Sequence, residues 1–177
     1  DSTGCVSSQN GAGSRPVLSP DGSTVAYGDA GAVWLVPLAG GPPRRLCEGG
    51  SPVWLDAARL VISVERDDGT SRLAVVDVAD PWPRRLTTGC DETGDEHSAA
   101  ASPDGRTVAY VFHRHDDLRA SEICVVDVAS GAVRTISGEP AMADRGPAWS
   151  PDGGWIAYAS ERSGWYEAHL IRPDGAD

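Results

Sequence analysis

No lysine occurs in this 177-residue chain: every basic residue is arginine, 15 in all against 26 Asp and Glu, for a net charge of -11. A polyanion-binding surface would have to be built against a repulsive overall field, so nucleic acid is not expected as a partner. No apolar run approaches the roughly 20 residues of a membrane-spanning helix, and no membrane partner is expected either. The four cysteines, at 5, 47, 90 and 124, form no C-x-x-C pair and have no histidine at zinc-finger spacing, which argues against a structural metal site. Buried free thiols in a reducing, cytoplasmic compartment are the expectation, with no cofactor. A cleaved leader would leave no trace in a chain that opens on Asp1. With 40% hydrophobic and 23% charged residues, 21 Gly and 13 Pro, the chain is turn-rich but neither disordered nor collagen-like.

A repeat decides the architecture. Ser-Pro-Asp-Gly occurs at 19–22, 102–105 and 150–153, and each copy leads into an apolar segment ending Val25-Ala26-Tyr27, Val108-Ala109-Tyr110 or Ile156-Ala157-Tyr158. A degenerate copy, Pro52 to Ile62, has lost the Pro and Gly of the motif. Aligning Leu18, Trp54, Ala101 and Trp149 gives spacings of 36, 47 and 48 residues, the period of one four-stranded propeller blade of roughly 40 to 50 residues. Ser, Pro, Asp and Gly in this order suit a type I turn joining two antiparallel strands. The third strand of each unit reads as 32–36, 72–78, 122–128 and 167–171, apolar on both faces, as in a sheet stacked between two others. A polar outer strand follows at 43–46, 83–86 and 133–136. The expected fold is therefore all-β, a β-propeller with about four four-stranded blades in view. Residues 1–15 form an N-terminal extension, and units lie near 16–50, 51–90, 97–138 and 145–177. The last unit lacks its outer strand, so the expectation is a piece of a larger propeller that self-associates through open blade edges.

The repeat Trp149 to Tyr158, of the form W-S-P-D-G-x-x-I-A-Y, resembles the propeller repeats shared by TolB-type proteins and by prolyl oligopeptidase-family serine peptidases. Asp144 to Gly153 followed by Ala159 to Glu167 looks more like the acylaminoacyl- and dipeptidyl-peptidase side. On that side the resemblance implies a propeller that gates peptide access to a C-terminal α/β-hydrolase domain, with the peptide and that domain as partners. The alternative it implies is a non-catalytic, TolB-like protein-binding module.

No serine here has glycine two positions to either side, so the G-x-S-x-G nucleophile elbow is missing and no catalytic residue is assigned. His113-x-His115 with Asp116 and Asp117 has the look of a metal site but is better read as a polar loop. The acidic run Asp91 to His97 reads as a solvated inter-blade loop. His169 reads as a packed histidine with one hydrogen bond, and Trp54, Trp149, Trp155 and Trp165 as packing residues. Arg145, Glu161 and Arg162 are the candidate contacts for a substrate or partner.

Overall fold

A computed structural model of the chain describes residues 15–87, 94–114, 120–138 and 142–176. Among the described residues all regular structure is strand, arranged as four consecutive antiparallel meanders. The first holds β1 (Val17–Leu18), β2 (Thr24–Asp29), β3 (Ala32–Pro37) and β4 (Arg44–Glu48). The second holds β5 (Gly50–Trp54), β6 (Arg59–Glu65), β7 (Ser71–Asp77) and β8 (Arg84–Arg85). The third holds β9 (Gly94–Ala101), β10 (Thr107–Arg114), β11 (Ser121–Asp127) and β12 (Val133–Thr135). The fourth is three-stranded: β13 (Asp144–Trp149), β14 (Ile156–Ser160) and β15 (Glu167–Ile171). The aligned residues Leu18, Trp54, Ala101 and Trp149 each end the first strand of a sheet.

The repeated turn explains itself atom by atom. In all three intact copies the Gly amide donates to the Ser carbonyl at 2.9 Å, with Gly22, Gly105 and Gly153 at φ of 71°, 67° and 72°. The Ser hydroxyl donates to the Asp carboxylate at 2.5–2.6 Å and accepts the amide of Thr24, Thr107 or Trp155. The Asp Oδ1 also accepts the amide two residues on, at 3.0–3.1 Å. These bonds, the serine hydroxyl first, hold the carboxyls of Asp21, Asp104 and Asp152 below their ordinary value. In the degenerate copy Asp56 closes a turn one residue shorter, accepting the amides of Ala58 and Arg59 and gripping the Arg59 guanidinium.

Strand alternation then sorts side chains into three inter-sheet layers. Along β7, Ala74 and Val76 face the first sheet while Leu73 and Val75 face the third. Along β10, Val108, Tyr110 and Phe112 face the second sheet, and Ala109 and Val111 the fourth. Neighbouring sheets meet chiefly through the first strand of the later one, which lies across the face of its predecessor. Two repeat-position tryptophans staple successive first strands: Trp54 Nε1 donates to the Val17 carbonyl at 3.1 Å and Trp149 Nε1 to the Ala100 carbonyl at 3.0 Å.

A second device corrects the reading of residues 91–97 as a solvated loop. Residues 91–93 lie outside the described residues, but Gly94 to His97 belong to β9, and Glu96 is fully buried. Its Oε2 accepts the Leu73 amide at 2.9 Å and the Thr87 hydroxyl at 2.8 Å, both from the preceding sheet. Asp144, at the same repeat position and also buried, takes the Ser137 hydroxyl at 2.5 Å, and that hydroxyl accepts the Ile123 amide. A charge run is normally exposed because such groups are costly to bury; here donors of the neighbouring sheet satisfy one oxygen of each carboxyl, while Glu96 Oε1 and Asp144 Oδ1 stay buried without a partner among the described residues.

Candidate functional site

In a meander the connections alternate between ends, so the Ser-Pro-Asp-Gly turns lie at one end of the sheets. The loops between second and third strands, with the entry into each first strand, lie at the other. At that second end every inter-sheet joint repeats a kink. The ladders of β5, β9 and β13 slip by one residue, and Ser51, Ser98 and Gly146 there have φ of 47°, 53° and 61°. Two of the three are not glycine, so each holds a left-handed conformation disfavoured by its own Cβ. Such bulges re-aim the adjacent side chains. The residues just before them are Gly50, His97 and Arg145, equivalent positions on successive first strands.

Arg145 and His97 differ in setting. Arg145 is exposed, its guanidinium carbon 4.9 Å from the centroid of the Tyr166 ring, a cation–π contact. Partial desolvation, then a hydrogen bond to the Glu161 carboxylate, raise the Tyr166 phenol above its ordinary range. Burial lowers the His97 imidazole; Asp95 opposes this, and the positive charges of His113 and Arg145 add to it. Nδ1 of His97 lies 2.9 Å from the Ser98 hydroxyl. At the joint of the first two sheets the same end opens into a polar cavity of about 450 Å³ lined by Asp29, Arg45, Glu48, Ser51, Glu65 and Ser71 among others.

The three residues singled out from sequence are thus divided. Arg145 and Glu161 converge on Tyr166. Arg162 turns the other way, donating to the Tyr158 hydroxyl at 2.9 Å and to Ser160 Oγ at 3.2 Å, and so closes the layer between the third and fourth sheets. Tyr166, 44% exposed, was missed by the sequence reading, and Trp165, read there as packing, is 81% exposed. Both sit on the loop after β14, where no strand alternation assigns a side. The tryptophan of the Gly-Trp pair marks this loop, but its exposure follows only from the path of the loop. Trp155 carries the Arg172 guanidinium over its ring at 4.5 Å.

His169 stacks on Tyr158 at 5.7 Å, and its buried Nε2 has no hydrogen-bond partner among the described residues; Arg162 already donates to the Tyr158 hydroxyl. His113 lies next to last in β10, opposite Asp95, whereas His115, Asp116 and Asp117 lie outside the described residues. Among the described residues no three His, Cys, Asp or Glu are grouped to hold a metal. Cys47 and Cys124 are buried free thiols.

No family model matches the chain. Over 169 residues it is 27% identical to the uncharacterized protein Atu1656 of Agrobacterium fabrum, covering 91% of this chain and 55% of that protein. Over 106 residues it is 32% identical to the TolB homolog of Chlorobium chlorochromatii, covering 56% of this chain and 23% of that one. Among solved structures, a TolB-type protein of Agrobacterium tumefaciens superposes with a TM-score of 0.77 at 26% identity, covering 94% of this chain and 60% of that chain. Dipeptidyl peptidase 4 of Porphyromonas gingivalis superposes with a TM-score of 0.67 at 16% identity, covering 96% of this chain and 32% of that chain. The chain thus spans little more than half the length of the first relatives it matches. Its four meanders are four consecutive blades of a TolB-like β-propeller, an architecture also seen in the propeller parts of prolyl and dipeptidyl peptidases.

Proposed function

We propose that the chain belongs to a non-catalytic, TolB-like propeller that binds a protein segment, rather than to the gating propeller of a serine peptidase. The observation that carries this is the difference in likeness. Identity reaches 26% with the TolB-type structure and 27% with the uncharacterized relative, but 12–16% with the peptidase propellers. The Asp144 to Glu167 stretch that looks peptidase-like serves the fold here: Asp144 clamps a joint, Trp149 staples one, and Arg162 caps a layer.

The contact chemistry sits at the loop end of the fourth sheet. Exposed Trp, Tyr and Arg are the residues that most often carry binding energy at interfaces, and Trp165, Tyr166 and Arg145 stand together there. Reading the coding sequence on both sides of residues 1–177 tests the proposal. Further Ser-Pro-Asp-Gly repeats without a G-x-S-x-G elbow are the expected result. An elbow followed by Asp and then His overturns it in favour of the peptidase.

A further inference from the structure

The outer strands carry arginine at equivalent positions, Arg44, Arg84 and Arg134. Two of the three do the same structural job. Arg44 Nη2 donates to the Val78 carbonyl at 3.5 Å, and Arg134 Nη2 donates to the Pro173 carbonyl. Each reaches the turn after the third strand of the next blade, and so latches adjacent rims. The repeat assigns Arg84 to the Val128 carbonyl, yet Arg84 makes no hydrogen bond or ion pair with any described residue. Instead it lines a groove of about 290 Å³ whose far wall is Val128 to Gly131. Where two joints are latched at the rim, the rim between the second and third blades has no such bond among the described residues, although Glu96 clamps that joint further in.

Arg59, Arg84 and Arg85 line the groove in a chain of net charge -11; Arg59 is paired with Asp56 and Arg85 has a partner of its own, which leaves Arg84 as the cation that faces the recess without one among the described residues. Arg59 is oriented by its two contacts with Asp56, at 2.8 and 2.7 Å. The floor is apolar, from Val75, Leu86 and Val128. Arginine on an outer strand commonly serves to discourage sheet-to-sheet pairing, but that role requires neither the loss of the latch nor a recess. A guanidinium fork matches an oxyanion bidentately. The neighbouring amides do not make a phosphate cradle, since those of Ser130 and Gly131 are already taken by Asp127. A side chain with methylenes for the floor and a carboxylate for the arginines fits best.

We propose that this rim groove binds a glutamate side chain of an acidic segment from a partner protein, at a site separate from the Arg145–Tyr166 end. The inference does not depend on whether the propeller is of the TolB or the peptidase kind. Fluorescence anisotropy of a labelled twelve-residue Gly-Glu repeat peptide, titrated with the whole chain, tests it. Binding that weakens from 50 to 500 mM NaCl is expected, with about a tenfold loss for Arg84→Gln and a larger one for Arg84→Glu. Arg44→Gln, at a latched joint, is expected to bind within about twofold of the parent. Arg84 is exposed, so both variants should keep the parent far-UV circular dichroism. Equal binding by Arg84→Glu or by a Gly-Gln repeat peptide overturns the proposal. So does displacement of the peptide by inorganic phosphate at matched ionic strength, which would make this a small-oxyanion site.

Discussion

Replacing the same glycine of the same turn in three blades should give unequal losses of stability. Gly22, Gly105 and Gly153 share the fourth turn position and nearly the same φ, 71°, 67° and 72°. An added Cβ at Gly22 meets nothing within 4 Å, and at Gly153 only Pro103 Cδ at 3.7 Å. For these two, alanine costs about 1–2 kcal/mol of left-handed backbone strain, offset by about 0.4–1 kcal/mol from the stiffer unfolded chain. The net loss is therefore about 1 kcal/mol.

At Gly105 the added Cβ would lie 2.4 Å from the Leu55 carbonyl oxygen of the preceding blade. Backbone must move by roughly an ångström to restore contact distance, and forced repacking of this kind adds about 1–3 kcal/mol. Gly105→Ala should thus lose about 2–4 kcal/mol, and Gly22→Ala and Gly153→Ala about 1. Urea denaturation of the three variants, followed by far-UV circular dichroism, measures this directly. Equal losses at all three glycines would show that the third blade's turn does not press on the second as described.

Four further outcomes are expected. Glu96→Ala strands the buried Leu73 amide and Thr87 hydroxyl and should cost about 3 kcal/mol, whereas Glu96→Gln keeps an acceptor and should cost about 1; equal losses in denaturation would refute the clamp. Trp149→Phe should lose about 1 kcal/mol with its bond to the Ala100 carbonyl, and a Trp54→Phe melt should show a similar loss. Because the folded pKa values of Asp21, Asp104 and Asp152 lie below the ordinary 3.8, their stabilisation is present above about pH 4 and lost as pH falls through those lower values. Melting curves from pH 5 to pH 2 should show this acid limb, flattened by serine-to-alanine changes at 19, 102 and 150. Leu170, 61% exposed on the outward face of the fourth sheet, should promote self-association, so Leu170→Arg should shift sedimentation toward the monomer.

What could be read from sequence is what repeats. The turn motif recurs because its bonds are local, among residues within five positions of one another, so any copy announces the hairpin it closes. Apolar runs on both faces announce the two-sided burial of β7 and β11, since such a strand must be sandwiched; the run at 167–171 announces it too, but there only Ile171 is buried and Leu170 is exposed. These local regularities determined the fold class and placed the turns that close each hairpin.

What the tertiary structure decided depends on distances between blades, which no local pattern encodes. Glu96 looks like part of a charged loop until the Leu73 amide and Thr87 hydroxyl of the preceding sheet are seen around it. Arg145 and Glu161 look alike as surface charges with Arg162, yet two meet at Tyr166 and the third folds back onto Tyr158. Arg44, Arg84 and Arg134 are indistinguishable by position, and only the gap before Val128 separates a latch from a groove. A repeat sequence specifies each blade by itself; the tertiary packing of one blade on the next decides which of its equivalent residues are consumed in holding neighbouring blades together and which are left exposed.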